Sequence, residues 1–173
     1  MADLDRLFRD YFTPLLRYLE RQTGDRDSAE ELVQETFVRA MRHELRTNER
    51  AWLFTTATNL LRDYTRRELR QRRHHEQIQH SELERERDLI RSAMETQPDL
   101  SPIQQALYSL GDRDRSALLL SEEGFSYDEI ARMIGLSPQS VGTTLSRARK
   151  RVLQNYESLM RATQIVGGTN VES

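Results

Sequence analysis

The 26 residues from Ser126 to Arg151, SYDEIARMIGLSPQSVGTTLSRARKR, constrain the fold more than any other part of the chain. Ser126 and Glu129 have the spacing of a capping box, in which each side chain satisfies a backbone N–H that the first helical turn leaves unpaired. Apolar residues follow at Ile130, Ile134, Leu136, Val141 and Leu145, and Ala131 is small where a second helix would cross. Gly135 stands where the chain must turn, a place that often needs positive φ. Ser137-Pro138 then repeats the start signal, with proline at the first helical position. The pattern predicts two helices joined by a tight turn. That is the helix-turn-helix, whose second helix can enter the DNA major groove.

Residues able to read bases lie on the expected open face of that second helix. Gln139 and Arg147 can make bidentate contacts with adenine and guanine, Thr143 and Thr144 suit a thymine methyl, and Ser140 can pair with either. Arg149, Lys150 and Arg151 would contact phosphates, adding salt-dependent affinity rather than sequence choice. The same basic residues also suit a helix C-terminus that binds no DNA, because cations there complement the macrodipole. The segment therefore needs support from elsewhere in the chain.

Only seven glycines and four prolines occur in 173 residues, and runs of β-branched residues are few, so an all-α protein is expected. With 36% apolar residues the chain can bury modest cores but not one large one. A first helix is predicted from Leu4 until Gly24, from Leu7, Phe8, Tyr11, Leu15, Leu16, Tyr18 and Leu19. Asp27 with Glu30 gives a start signal for a second, SAEELVQETFVRAMRH. The polar RTNER leads into a third, AWLFTTATNLLRDYTRRELRQRR. Ser101-Pro102 opens PIQQALYSL, and RDRSALLLSEE follows until Gly124. The boundaries expected are a domain over 1–75, an acidic linker over 76–100, a second domain over 101–158 and a disordered tail over 159–173.

The net charge of −2 conceals segregation. Residues 1–75 carry 15 arginines against 13 acids, whereas residues 76–111 carry 3 against 7. Within 62–75 there are six arginines and two acids. Charge is parcelled out by segment, so the overall balance does not exclude nucleic acid. At about 100° per residue, Asn59, Arg62, Arg66, Arg70 and Arg73 fall within roughly 80° of one another, opposite Leu53, Ala57, Leu60, Leu61 and Tyr64. Arginines on such a rail track phosphates, and an aromatic or planar amide can hold an unstacked base. Trp52 projects to the edge of the rail and fits either a base-stacking or a core position.

These residues resemble a known family. AEELVQETFVRA (29–40), AWLFTTATNLLRDYTRRE (51–68) and ALYSLGDRDRSALLLSEEGFSYDEIARMIGLSPQSVGTTLSRARKRVL (106–153) are similar to regions 2 and 4 of bacterial sigma-70-type factors, in the two-domain form of the extracytoplasmic-function (ECF) group. The resemblance implies two small helical domains, a region 2 bundle of three or four helices and a region 4 helix-turn-helix, joined by a flexible linker. It implies a non-enzymatic factor that binds core RNA polymerase through the β′ clamp helices and the β flap, and directs initiation at promoter DNA. Polymerase contact carries over to Glu31, Gln34 and Glu35, with Phe37 and Met41 beside them. Capture of −10 bases carries over to Asn48, Trp52, Asn59, Arg62, Asp63, Arg66 and Arg67, and more loosely to Thr47 and Glu49. Asp63 would accept from a base or orient Arg66 or Arg67. Reading of the −35 element falls to Gln139, Ser140, Thr143, Thr144, Arg147, Arg149, Lys150 and Arg151. An anti-sigma partner is implied by the resemblance and no cofactor is expected, while the lack of cysteine fits a cytoplasmic location and the lack of a long apolar stretch predicts no membrane insertion.

One departure stands out. Family members often carry basic residues where this chain has Gly142 and Thr144. Gly142 costs the helix up to about 1 kcal/mol relative to alanine, and would permit close backbone approach to DNA. The acidic linker reads either as a mimic of RNA in the polymerase channel or as a soluble tether.

Other classes fit less of the chain. A stand-alone helix-turn-helix regulator explains 126–151 but leaves the arginine rail and the Gln34-Glu35 motif unused. A metal-dependent nuclease finds no i, i+4 ligand pair among His43, His74, His75 and His80. No cysteine is present for thiolate metal sites or disulfides. No apolar stretch approaches the roughly 20 residues that span a bilayer, and Met1 leads directly into ADLDRLFRD, which argues against a signal peptide.

Overall fold

The computed structural model describes residues 4–43, 48–75 and 100–167. Seven α-helices make up the described residues: α1 (Leu4–Thr23), α2 (Arg26–Met41), α3 (Glu49–His75), α4 (Pro102–Tyr108), α5 (Asp112–Glu122), α6 (Tyr127–Ile134) and α7 (Pro138–Gly167). The all-α expectation holds. The linker proper, 76–99, lies outside the described residues, as do Thr47 and the last part of the tail, 168–173.

Helix boundaries follow local chemistry. Gly24 closes α1 at φ 71°, and Asp25 then takes extended backbone. The Asp25 carboxylate accepts from the Ser28 backbone N–H at 2.8 Å and from its hydroxyl at 2.6 Å, so the N-cap of α2 is Asp25 rather than Asp27. Ser101 with Gln104 and Ser126 with Glu129 form full capping boxes at the starts of α4 and α6. The last helix continues past the expected boundary at 158. Helix α7 runs on to Gly167, and neither glycine nor proline occurs between Thr143 and Val166 to break it.

Helices α1–α3 enclose Leu7, Leu15, Leu19, Val33, Leu53 and Ala57, all fully buried. The Tyr18 hydroxyl pairs with Thr58 Oγ1 at 2.9 Å inside this core, and burial pushes the phenol above its ordinary range. Helices α4–α7 bury Leu119, Leu120, Ile130, Val141 and Leu145, with a smaller cluster of Leu110, Leu118 and Ala148 where α5 meets α7.

The two bundles do not keep separate cores. Phe54 of α3 is 0% exposed, with its ring 5.4 Å from Tyr18 and edge-on to Phe125 at 5.0 Å, so one apolar cluster runs through both. The Arg50 guanidinium lies 4.2 Å from the Phe125 ring centroid and donates to the Glu123 carbonyl. Around this contact, Arg17 pairs with Glu123 and Arg21 with Glu122, each at 2.9 Å. Gln22 donates to Ser116 at 3.0 Å, and the Tyr108 hydroxyl donates to the Glu20 carbonyl at 3.1 Å. The hydroxyl and amide pair at Gln22–Ser116 is buried, so separating the bundles without water entry would cost more than the bond's net worth.

Phe125→Ala removes the ring that both Phe54 and Arg50 pack on. It should lower the free energy of unfolding by about 3–5 kcal/mol, read as a shift in urea midpoint. A second expectation concerns acid. Hydrogen bonds from Ser28 hold the Asp25 carboxyl below the usual carboxylate range. A depressed carboxyl stabilises the fold above its unfolded pKa of about 4 and loses that contribution as pH falls through the folded value. Asp25→Asn keeps a cap but not the titration, so its stability should fall less steeply between about pH 5 and pH 2 than that of the wild type.

Candidate polymerase and nucleic-acid interfaces

Glu31, Gln34, Glu35, Val38 and Met41 share one exposed stripe of α2, with Met41 67% exposed. Glu35 is tied to Arg39 one turn on at 2.9 Å. Phe37, expected among these surface residues, is instead only 6% exposed. It falls in the buried stripe Val33, Thr36, Phe37, Ala40, and its ring lies 5.1 Å from Phe8 of α1. Its reach to the surface is indirect: it supports Phe8, which is exposed. The result is a face with carboxylates and an amide beside the apolar Val38, Met41 and Phe8.

Asn48 takes φ 49°, and its Oδ1 accepts from the Ala51 backbone N–H at 3.2 Å, capping α3. Its Nδ2 donates to Glu129 of α6 at 3.3 Å, so this −10 candidate also touches the other bundle. Trp52 is half-buried against the core, its ring 5.0 Å from that of His43. Asn59, Arg62, Asp63, Arg66 and Arg67 are all exposed. Arg66 approaches Asp63 at 4.0 Å, the one-turn pairing that the sequence suggested for the acid. Arg62 and Arg66 also line a cleft of about 410 Å³, facing Asp112, Arg113 and Gly135 of the second bundle.

In the helix-turn-helix, Gly135 adopts φ 69° and ends α6, and Pro138 begins α7. Gln139, Thr143 and Arg147 occur at i, i+4 and i+8 and are exposed, as are Ser140, Arg149, Lys150 and Arg151. Thr144 departs from expectation at 5% exposed. The helical period puts it in the buried stripe of Val141, Leu145 and Ala148, where no base edge reaches it. The sequence reading missed Asp114. This nearly buried carboxylate on α5 accepts from Arg147 Nε at 3.0 Å and from Nη2 at 2.5 Å, and lies 3.5 Å from Arg151. No local pattern announces a contact between residues 33 apart in sequence.

The described residues contain no group of three or more His, Asp or Glu able to hold a metal ion, and no described helix is long and apolar enough to cross a membrane.

Residues 7–71 match the family profile for Sigma-70 region 2, and residues 100–152 match that for Sigma-70, region 4. The chain is 30% identical over 165 residues to the RNA polymerase sigma factor YlaC of Bacillus subtilis (strain 168), covering 88% of this chain and 91% of that protein. It is 30% identical over 142 residues to the ECF RNA polymerase sigma factor EcfG of Rhodopseudomonas palustris (strain TIE-1), covering 75% and 72%. Its fold is similar to a chain in the co-crystal structure of the sigma factor RpoE with the anti-sigma factor NepR from Bartonella quintana. The TM-score is 0.65 at 24% identity, with 91% of this chain and 98% of that one covered. The chain belongs to the sigma-70 family. Within it, this is an ECF RNA polymerase sigma factor, a transcription initiation factor and not an enzyme. Sigma factors bind core RNA polymerase.

Packing does not require the glycine in the recognition helix. A Cβ at Gly142 would meet the Tyr127 ring at 3.5 Å, an ordinary van der Waals distance. Gly142→Ala should therefore raise stability by up to about 1 kcal/mol in a denaturant titration. Weaker duplex binding by the stabilised variant would trace to close backbone approach at this position.

Proposed function

We propose that the three exposed faces divide initiation among them. The stripe Glu31, Gln34, Glu35 and Met41 of α2 docks on the β′ clamp helices, its carboxylates meeting cationic groups and Met41, Val38 and Phe8 covering apolar ones. Asn59, Arg62, Arg66 and Arg67 hold the −10 strand, with Asn48 and Trp52 at the mouth of that face. Gln139, Ser140, Thr143 and Arg147 read the −35 duplex, while Arg149, Lys150 and Arg151 hold its phosphates. The observation that carries this reading is the separation of the faces onto three helices, each with its polar and charged side chains exposed and its opposite side packed in the core.

The chemistry of strand opening follows from those side chains. Flipping bases out of the stack costs a few kcal/mol. Stacking on an aromatic ring and hydrogen bonds to arginine and asparagine offset that cost, at about 1–3 kcal/mol for each stacked base. Opening then needs no nucleotide hydrolysis. A groove of about 320 Å³ offers a seat for the β flap, its apolar side formed by Ile103, Leu118, Val152, Leu153 and Tyr156 and its polar side by Ser121, Glu122 and Arg149. An anti-sigma factor is a further partner, as NepR is for the Bartonella quintana protein of similar fold. Acting with core polymerase on the chromosome, the protein works in the cytoplasm.

The test is a set of three variants assayed with core RNA polymerase on one dependent promoter. Glu35→Lys should weaken core binding by about tenfold or more, a loss of roughly 1.4 kcal/mol. Arg66→Ala should reduce permanganate-detected strand opening while sparing duplex binding. Gln139→Ala should do the reverse. Equal loss of both activities in the last two variants would contradict the division of labour.

A further inference from the structure

Asp114 is anchored before any DNA arrives. It lies in the first turn of α5, where a carboxylate complements the helix dipole, and is 6% exposed. Both of its oxygens are used by Arg147, Oδ2 by Nε–H and Oδ1 by an Nη2–H, in the fork geometry that fixes a guanidinium plane. Arg151 approaches the same carboxylate from the next turn of α7 at 3.5 Å.

A guanidinium has two edges able to form paired hydrogen bonds, Nε/Nη2 and Nη1/Nη2. Asp114 occupies the first. The second, with three remaining N–H groups, stays on an exposed side chain in line with Gln139 and Thr143. That edge matches the O6 and N7 acceptors of guanine. The hydrogen bond and charge of Asp114 push the Arg147 guanidinium above its ordinary range.

We infer that Asp114 is a positioning residue for promoter readout: by holding the Nε/Nη2 edge of Arg147, it directs the other edge at one guanine of the −35 element. The inference rests on the −35 reading of α7. It assigns the specificity of one base pair to a residue on a different helix, one that never touches DNA. Holding the side chain in one rotamer in advance also reduces the conformational entropy lost on binding.

The experiment measures binding of the full chain, assembled with core RNA polymerase, to a panel of promoters in which each −35 base pair is replaced in turn. The wild type should prefer guanine at one position by roughly 10- to 100-fold, the range expected for a bidentate pair. Arg147→Ala should abolish that preference. Asp114→Asn should reduce it to within about threefold, while preferences at the other positions and binding to unrelated duplex stay at wild-type levels. Asp114→Glu keeps the carboxylate and should restore part of the preference. Adding Asp114→Asn to Arg147→Ala should change nothing further at that position.

A merely structural pair would lower thermal stability and weaken every sequence alike. Full discrimination by Asp114→Asn at the position that Arg147→Ala loses would overturn the inference and leave the −35 reading intact. Uniform weakening across the panel by Arg147→Ala would overturn it differently, by making Arg147 a phosphate contact. A panel in which no α7 variant changes any preference would sink the −35 reading itself.

Discussion

Phe54 is the residue on which the two halves of the molecule meet. It lies on α3, with the exposed arginine face on the other side of the same helix, and is sealed between Tyr18 within its own bundle and Phe125 in the turn after α5. Burying a phenylalanine ring contributes about 1.5–3 kcal/mol relative to leaving it exposed. The arginine and carboxylate pairs around it are partly exposed and individually worth much less. The apolar contact therefore sets the register of the halves, and the charged groups define its rim. Region 2 and region 4 are separate in sequence and in their outward faces, but in this state they are one packing unit.

The local parts of this architecture were legible in the sequence. The cap at Ser101, the capping box at Ser126, the left-handed Gly135 and the opposed faces of α3 all depend on residues within a few turns of one another. Thr144 and Phe37 are buried, against expectation, for a shared reason. In each, the helical period turns the side chain inward, setting Thr144 with Val141, Leu145 and Ala148, and Phe37 with Val33, Thr36 and Ala40. The length of α7 was misjudged because a small, polar ending looked unstructured, although nothing in it breaks a helix before Gly167. Asp114 and the Phe54–Phe125 contact could not be read at all, since both are set by how helices cross.

The charge pattern has a physical logic that the total of −2 hides. Sigma factors bind core RNA polymerase, and in this chain carboxylates and guanidinium groups are sorted onto different helices. On α2 the carboxylates point outward at Glu31 and Glu35. On α3 and α7 the arginines do so, with Asp63 placed one turn from Arg66 and Asp114 held beneath Arg147. Asp63 and Asp114 are thus each paired with an arginine of α3 or α7.

Transcription of fragmented host genomic DNA by core RNA polymerase, with and without this chain, tests the central claim most directly. RNA 5′ ends that arise only with the chain, and that share one pair of upstream elements at constant spacing, are the predicted result. No new 5′ ends, from a protein shown to bind duplex DNA, would contradict it.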